Sequence, residues 1–260
     1  GSDFDRGAFG LLPVHLAVWH GLIFVNIDEA EPVPLAAQAE AELIRRFGET
    51  ATFARYQLAD LRVASTITYE VGGNWKLAVE NFLECYHCGP MHPELCDLLP
   101  GFRGGAAYQQ GLGTAFAGVE AFTITGKASR PALPGITADD ARRYYGLVFL
   151  PNVFLNLLPD HAVLHTLWPQ GPDRTTIVCD WLFHPDAIAR PDFDPRDAVE
   201  LFDIVNRQDW EVCELAQASM RSRAYRAGGI YVPIEAHIRH FNDYVLEHLG
   251  HAPHGDAAAR

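Results

Sequence analysis

The sequence lacks clusters of basic residues. It has 20 Lys and Arg against 33 Asp and Glu, which gives a formal net charge of −13. Its longest basic runs are the pairs Arg45-Arg46 and Arg142-Arg143. Because nucleic acids and anionic membranes are held through clustered Lys and Arg, we expect neither as a partner.

An apolar segment long enough to cross a bilayer is also lacking. The most apolar stretch, residues 144–158, contains Pro151, Asn152 and Asn156 and is shorter than the roughly 20 residues of a spanning helix. No apolar segment follows a basic start at the N-terminus, as it does in a secretory signal. We therefore expect a cytoplasmic protein without a membrane attachment.

Cysteine is scarce, and its count is odd. Cys85, Cys88 and Cys96 are crowded together, whereas Cys179 and Cys213 lie far along the chain. This is a poor disulfide framework, and a chain of 260 residues buries enough surface to be stable without one. We expect reduced thiols, as in a cytoplasmic protein.

Two common nucleotide-binding motifs are missing. The glycines at 101–105 and 111–113 are not followed by GKS or GKT, and they do not join a strand to a helix as G-x-G-x-x-G does. The sequence therefore excludes a phosphate-binding loop and a dinucleotide fingerprint as the basis of function.

The residue pattern predicts a single α+β domain over residues 1–260. Strands are predicted from alternating or β-branched segments at 16–27, 52–71, 108–127 and 145–183. The first of these should bend at His20-Gly21, the second should form an antiparallel pair, and the last should turn at residues 159–161 and 171–174. Helices are predicted from apolar spacing and capping signals at 34–47, 75–87, 196–220 and 234–249. Internal repeats and long linkers are absent from the sequence. We expect a curved antiparallel sheet around long helices.

Ligand-type residues are densest in the segment ECYHCGPMH, residues 84–92. Glu84 and His87 are three positions apart and would share a face of the predicted helix. His92 would be out of line on a continuous helix, but Gly89-Pro90 should break the helix between the two histidines. The imidazoles could then face one metal ion. The alternative is a surface helix end that happens to hold two histidines.

A candidate third ligand is Asp209 on the long predicted helix. It occupies the apolar stripe between Val205 and Val212. A carboxylate facing the core is costly unless it is paired or bound to a cation. Two histidines and one carboxylate form the facial triad of non-haem Fe(II) oxygenases. A salt bridge to a buried arginine, or a helix register shifted by one residue, would also explain the position.

Zinc is the competing metal. Cys85-x-x-Cys88 with a nearby histidine resembles a zinc knuckle, although no second cysteine pair accompanies it. Cys85-Tyr86-His87 also matches the first half of a Rieske cluster pattern, whose second half is absent from this sequence.

The segment NWKLAVENFLECYHCGPMHPEL, residues 74–95, resembles the signature of the catalytic domain of Rieske non-haem iron oxygenases, the ring-hydroxylating dioxygenase α-subunit family. The segment NRQDWEVCELAQASMRSRAY, residues 206–225, is similar to the family's second iron-ligand segment. The resemblance extends over about residues 10–249. It implies a helix-grip fold of the START/SRPBCC-like type.

The resemblance also implies a chemistry. His87, His92 and Asp209 would bind one mononuclear Fe(II), with O2 at the open positions. Glu84 would connect this iron to the Rieske cluster of a neighbouring subunit, so that the intact protein would be a homotrimer. Electrons would come from NAD(P)H through a ferredoxin or flavin reductase.

The family's N-terminal Rieske domain, with its 2Fe-2S cluster, has no counterpart in this sequence. Because the chain starts with Gly1-Ser2 and lacks an initial Met, we expect it to be part of a longer protein. We also expect no NADH-driven oxygenase turnover from this part alone, because no pattern in it completes a cluster site that could deliver electrons to the iron.

The substrate branch is suggested by Glu84, where many arene dioxygenases have Asp, and by FLPNVFLNLLPDHAVLHTLWP, residues 149–169. Both are similar to oxygenases of glycine betaine, carnitine and choline. The resemblance thus implies oxidative N-demethylation of a quaternary amine such as glycine betaine. Aromatic-ring dihydroxylation is the alternative, and a non-catalytic ligand-binding or zinc-stabilised helix-grip domain is the alternative of another class.

A cationic substrate would be enclosed by aromatic rings. The candidates are Tyr145, Phe149, Phe154 and Trp210. Plain core packing is the competing explanation for each of them.

Overall fold

A computed structural model describes residue 7 and residues 10–105, 114–116, 118–225 and 231–252 of the protein. Antiparallel strands in this part form a two-stranded hairpin and a six-stranded sheet, and long helices pack against the sheet. The predicted α+β architecture is confirmed. None of the described helices has both the length and the apolar character that a membrane span requires.

The strands are β1 (His15–Trp19), β2 (Leu22–Asn26), β3 (Arg62–Val71), β4 (Thr114–Ala115), β5 (Arg143–Phe149), β6 (Val153–Leu157), β7 (His161–Gly171) and β8 (Arg174–Phe183). The helices are α1 (Leu35–Phe47), α2 (Ala51–Ala54), α3 (Trp75–Leu83), α4 (Cys88–Met91), α5 (Pro93–Leu98), α6 (Pro185–Ile188), α7 (Arg196–Met220) and α8 (Ala236–His248).

The six-stranded sheet has the order β3-β8-β7-β6-β5-β4. Strands β5 to β8 follow one another as an antiparallel meander, and the predicted turns at Pro159-Asp160 and at residues 171–174 are found. A further turn at residues 150–152 separates β5 from β6. We did not predict this turn, although Pro151 and Asn152 are residues that favour turns.

The β1–β2 hairpin bends at the predicted dipeptide. His20 has φ 46° and Gly21 has φ 83°, which is the left-handed backbone of a tight hairpin turn. A Cβ atom on Gly21 would lie 2.9 Å from the Cα atom of Ala59, so that close packing as well as backbone conformation requires glycine here.

Two cores lie on opposite faces of the sheet, because successive side chains of a strand point to opposite sides. The first core joins β3 and β5–β8 to α3, α7 and α8, and includes Val79, Trp181, Phe202 and Phe241. The second core joins the other face of β5 and β6 to α1 and the segment after it, and includes Leu43, Phe53 and Tyr56. Burying each such side chain contributes about 1.5–3 kcal/mol.

Helix α7 has the bounds that the sequence predicts, Arg196–Met220. The N-cap position is Pro195, and the Asp194 carboxylate just before it accepts a hydrogen bond from the Arg196 amide at 3.0 Å. One of the first helical amides, which have no partner within the helix, is thereby satisfied. Helix α1 ends before Gly48, as predicted, and Gly48 has φ 76° and donates its amide to the Ile44 carbonyl.

Two strand predictions are wrong. Residues 52–71 do not form a strand pair: α2 and a short 3₁₀ turn at Leu58–Asp60 precede the single strand β3. Phe53 and Tyr56 are both buried in the second core, because residues three apart share a face of a helical turn, whereas in a strand they would point to opposite faces. In the predicted strand 108–127, residues 108–113 and 117 lie outside the described residues, and the remainder contains only β4.

Candidate metal centre

The segment that follows α3 differs from the predicted continuous helix. Helix α3 starts after the Asn74 cap and ends at Leu83, and Glu84 is extended, with φ −133° and ψ 161°. Glu84 and His87 therefore do not share a helix face. The chain reverses earlier than predicted, and Gly89-Pro90 lie inside the short helix α4.

The Glu84 side chain organises this reversal. One carboxylate oxygen accepts hydrogen bonds from the amides of Tyr86 and His87, and the other contacts the Nδ1 atom of His87. Glu84 and His87 thus meet as predicted, but through a side-chain turn rather than through helical periodicity. This contact fixes the ring of His87 so that Nε2 points away from Glu84.

His92 lies between α4 and α5 and is 1% exposed. Its Nδ1 atom is 2.8 Å from Oε1 of Gln208. Because an amide oxygen only accepts hydrogen bonds, Nδ1 of His92 must donate, and Nε2 is the nitrogen left for another partner. The imidazole rings of His87 and His92 have centroids 5.1 Å apart.

Asp209 on α7 joins both histidines. Its Oδ1 atom is 3.2 Å from Nε2 of His87 and 2.9 Å from Nε2 of His92. The same oxygen accepts a hydrogen bond from the Asn81 amide at 2.7 Å. The contacts of Asp209 in the described part are thus two imidazoles and an amide, rather than the buried arginine of the alternative interpretation.

Strong electrostatic coupling holds the three side chains. Burial would raise the pKa of Asp209, but hydrogen bonds from His87 and His92 lower it to about 2. Burial would lower the pKa of His87, but Asp209 and Glu84 raise it to about 9. Burial would also lower the pKa of His92, but Asp209 raises it. The negative charge of Asp209 therefore favours a positive charge beside it, either a proton on the imidazoles or a bound cation.

This donor set fits a divalent metal ion. Two Nε2 atoms and one carboxylate oxygen converge on one region, which is the donor set of a 2-His-1-carboxylate Fe(II) site. Each ligand also has an outer partner: Glu84 for His87, Gln208 for His92 and Asn81 for Asp209. Such partners set the tautomer and orientation of metal ligands.

The structure corrects the expectation of reduced thiols at two positions. Cys85 and Cys88 form a disulfide with Cα atoms 5.0 Å apart, because the reversal after Leu83 brings them together. Cys96, Cys179 and Cys213 are free and buried. A zinc site that uses both thiolates is not available while this disulfide is present.

The residues of this centre line a cavity together with several Phe, Tyr and Trp side chains. Phe82 and Phe154 stack with centroids 4.3 Å apart, and Phe122 and Tyr144 stack at 5.4 Å. Its other lining residues include Phe102, Asn156, His165, Phe202, Asn206 and Trp210.

Two of the four predicted substrate residues, Phe154 and Trp210, line this cavity. Tyr145 and Phe149 do not, and the structure corrects this part of the prediction. Both belong to the second core on the opposite face of β5, where their neighbour Tyr144 faces the cavity instead. Successive side chains of a strand point to opposite faces. Knowing which face of β5 borders the cavity would therefore have identified Tyr144 instead of Tyr145.

Three buried polar residues extend from Tyr144 along the cavity wall. The Tyr144 hydroxyl is 2.7 Å from Oδ1 of Asn156, whose amide nitrogen is 3.3 Å from Nδ1 of His165. Nε2 of His165 is 3.1 Å from Oδ1 of Asn206. Burial lowers the pKa of His165 to about 4, so the ring is neutral. Since Asn206 and Asp209 are three apart on α7, this row fixes the rotation of the helix that carries Asp209.

Removing the outer partner of His92 will weaken metal binding. In a Gln208→Leu variant, nothing holds Nδ1 of His92 as a donor, and we expect a 10- to 100-fold loss of Fe(II) affinity. Anaerobic calorimetric titration with Fe(II) measures this. The matched control is Gln217→Leu on the same helix, where the lost partner is the Asn74 amide, 2.9 Å away. Equal affinities for the two variants would contradict the role of Gln208.

Three comparisons with known proteins bear on this centre. A family model described as "Ring hydroxylating alpha subunit (catalytic domain)" matches residues 58–251. The glycine betaine monooxygenase oxygenase subunit of Chromohalobacter salexigens is 28% identical over 261 residues, covering 88% of this chain and 57% of that protein. The chain thus spans less than two thirds of the length of this relative.

Solved structures share the fold. The quaternary ammonium Rieske monooxygenase CntA in complex with its substrate L-carnitine matches with a TM-score of 0.64 at 21% identity, over 94% of this chain and 63% of that one. Naphthalene 1,2-dioxygenase from a Rhodococcus species, bound to indole, matches with a TM-score of 0.61 at 17% identity, over 90% and 65%.

Proposed function

The chain belongs to the family of ring-hydroxylating α-subunit catalytic domains, and from this we propose that it is the iron-binding part of a Rieske-type oxygenase, forming one domain over residues 1–260. One observation carries the proposal. Oδ1 of Asp209 lies within 3.2 Å of Nε2 of both His87 and His92.

His87, His92 and Asp209 would hold Fe(II). When bound, the ion supplies the reductive activation of O2 that organic side chains cannot perform. Asn81, Gln208 and Glu84 orient the three ligands. The aromatic rings around the cavity exclude water from the substrate, which protects the reaction from competing hydrolysis and proton leakage.

The substrate in this proposal is a quaternary amine. Aromatic rings attract an ammonium group without needing a counter-ion, and Phe82, Phe122, Tyr144 and Phe154 all line the cavity. The names of two similar proteins, a glycine betaine monooxygenase subunit and a carnitine-binding monooxygenase, also support this class. Hydroxylation of one N-methyl group gives an N-hydroxymethyl cation, which releases formaldehyde, a proton and the tertiary amine.

Electron delivery involves Glu84 in this proposal. Its carboxylate touches His87 and lines the cavity, so that it lies beside a ligand without being one of the three. In the whole protein it would connect the iron to a Rieske 2Fe-2S cluster of an adjacent subunit in a homotrimer. NAD(P)H would supply the electrons through a ferredoxin or flavin reductase.

Dihydroxylation of an aromatic ring is the second candidate. The aromatic lining favours it, because stacked rings accept a flat apolar substrate as well as a cation. The naphthalene dioxygenase structure supports only the shared fold. The two candidates differ in product: formaldehyde and a tertiary amine in one case, a cis-diol in the other.

Hydrogen peroxide allows both candidates to be tested on this chain. Peroxide supplies oxygen and the two electrons together, so that an N-methyl group and H2O2 give the N-hydroxymethyl product and water without a cluster. We expect the Fe(II)-loaded chain to release formaldehyde from glycine betaine, carnitine or choline above the level of iron-free chain. A cis-diol from naphthalene, without formaldehyde from the amines, would favour the second candidate. Neither product, with iron bound, would contradict both.

A further inference from the structure

The disulfide encloses a predicted iron ligand within the sequence Cys85-Tyr86-His87-Cys88. Both sulfur-bearing side chains are buried, yet both line the cavity. Tyr86, between them, is 72% exposed. The pair is therefore close to the metal centre and on a segment that also reaches the surface.

The sulfur of Cys88 lies close to both imidazoles. Ligand atoms of His87, Cys88 and His92 all lie within 4.8 Å of one another. Two donors on one metal ion can be separated by at most the sum of their bonds, about 4.4 Å for one sulfur and one nitrogen ligand. The observed limit of 4.8 Å exceeds this value by a few tenths of an ångström. A change of rotamer at Cys88 moves its sulfur by more than that.

We propose that Cys88 is a further metal ligand whose availability is controlled by the Cys85–Cys88 disulfide. In the disulfide, the sulfur of Cys88 is bonded to Cys85 and does not act as a thiolate. A small dithiol reductant reduces the protein disulfide by thiol–disulfide exchange. The reductant itself is oxidised to a cyclic disulfide. Two electrons and two protons pass to the protein, which gives two thiols.

The thiol of Cys88 then loses its proton to solvent and forms a metal–sulfur bond. This step changes the character of the centre. With the disulfide formed, the hard and intermediate donors of His87, His92 and Asp209 leave open positions for O2. With Cys88 bound, one position is filled by a soft thiolate, which favours Zn2+. This redox control goes beyond the proposed oxygenase function, although it uses the same metal centre.

Cobalt is a suitable probe, because thiolate bonded to Co2+ gives an intense near-ultraviolet charge-transfer band that imidazole and carboxylate do not give. The chain is titrated with Co2+ anaerobically, before reduction and after treatment with dithiothreitol followed by desalting. Titration with a thiol reagent under denaturing conditions counts free thiols in each sample. We expect three free thiols and no band before reduction, then five free thiols and the band afterwards. The affinity for Zn2+ relative to Fe(II) should rise at least tenfold.

Three variants assign the band. Cys88→Ser should bind Co2+ without the band in either state, whereas Cys85→Ser should show the band without reductant. Cys213→Ala is the control for loss of a buried cysteine and should respond to reduction like the original chain, with one thiol fewer.

The outcomes separate this inference from the proposed function. Co2+ binding without the band, in reduced chain with five free thiols, would overturn the role of Cys88 and leave the metal centre intact. Five free thiols before any reduction would overturn the disulfide control. Failure of Co2+ to bind in both states would contradict the metal centre itself, and with it the proposed function.

Discussion

An Asp209→Ala variant will lose Fe(II) affinity by more than about 100-fold, exceeding the loss for an outer partner. The carboxylate is the only negatively charged member of the proposed ligand set, and both imidazoles converge on its Oδ1 atom. Without it, two neutral imidazoles remain, which hold Fe(II) weakly. The pKa of His87, which Asp209 raises, should also fall, and an NMR titration of the metal-free variant would detect that change.

Anaerobic calorimetry gives the affinity, and the iron content after desalting gives an independent check. Glu211→Ala on the same helix is the control, because Glu211 is exposed and its removal changes the net charge equally. Equal iron contents in the Asp209→Ala and Glu211→Ala variants would show that iron binds at another site.

The second large effect concerns stability, at an ion cluster away from the metal centre. Arg130 is 3% exposed in its side chain and donates to Asp160 at 2.8 Å and to Asp197 at 2.6 Å. It also donates to the Asp194 carbonyl at 2.7 Å. The three acceptors belong to the β6–β7 turn and to the start of α7. An Arg130→Met variant removes the guanidinium from the buried Asp160, whose other side-chain partner, Nδ1 of His161 at 2.7 Å, remains. We therefore expect a loss of about 3 kcal/mol, the lower end of the cost of breaking a buried ion pair.

Urea unfolding followed by circular dichroism measures the free energy of unfolding. The comparison variant is Arg103→Met, whose ion pair with Asp97 is 60% and 78% exposed in its two side chains. An exposed pair contributes only about 0–1 kcal/mol, so the two arginine variants should differ by about 2 kcal/mol or more. Similar losses for both would mean that the Arg130 cluster does not connect α7 to the sheet as the contacts indicate.

The sequence predicted those elements whose signals are local. Helix α7 follows the dipeptide Asp194-Pro195 and has a long apolar stripe, and its bounds agree with the prediction. The β7–β8 turn contains Gly-Pro-Asp, and its position also agrees. The segment at residues 52–71 was predicted incorrectly, because Phe53 and Tyr56 are three apart, a spacing that fits a helical turn rather than the alternation of a strand.

At the site, the choice of ligand candidates depended on chemistry rather than on exact local structure. The structure brings His87, His92 and Asp209 together, although the chain reverses at Glu84 instead of at Gly89-Pro90. The identity of the outer partners was beyond the sequence. Gln208 lies next to Asp209, but only the packing of α7 against the segment after α4 shows that it contacts His92.

The cavity was the least predictable part. Aromatic residues occur on both faces of β5 and β6, and one unpredicted turn at residues 150–152 separates these strands. Phe154 and Trp210 lie at the cavity, whereas Tyr145 and Phe149 lie in the second core. Apolar residues continue on both faces of these two strands, so the period-two pattern that normally marks an inner face was absent.

The contact between His92 and Gln208 spans 116 residues of chain, and the same two segments supply the metal ligands. An ion bound there is a reversible cross-link that closes most of the six-stranded sheet within one large loop. Closing such a loop costs an unfolded chain more entropy as the loop lengthens. Iron at 100 times its dissociation constant would stabilise the folded state by about 2.7 kcal/mol. The metal supply would then set how long the folded chain persists, apart from any reaction that it carries out.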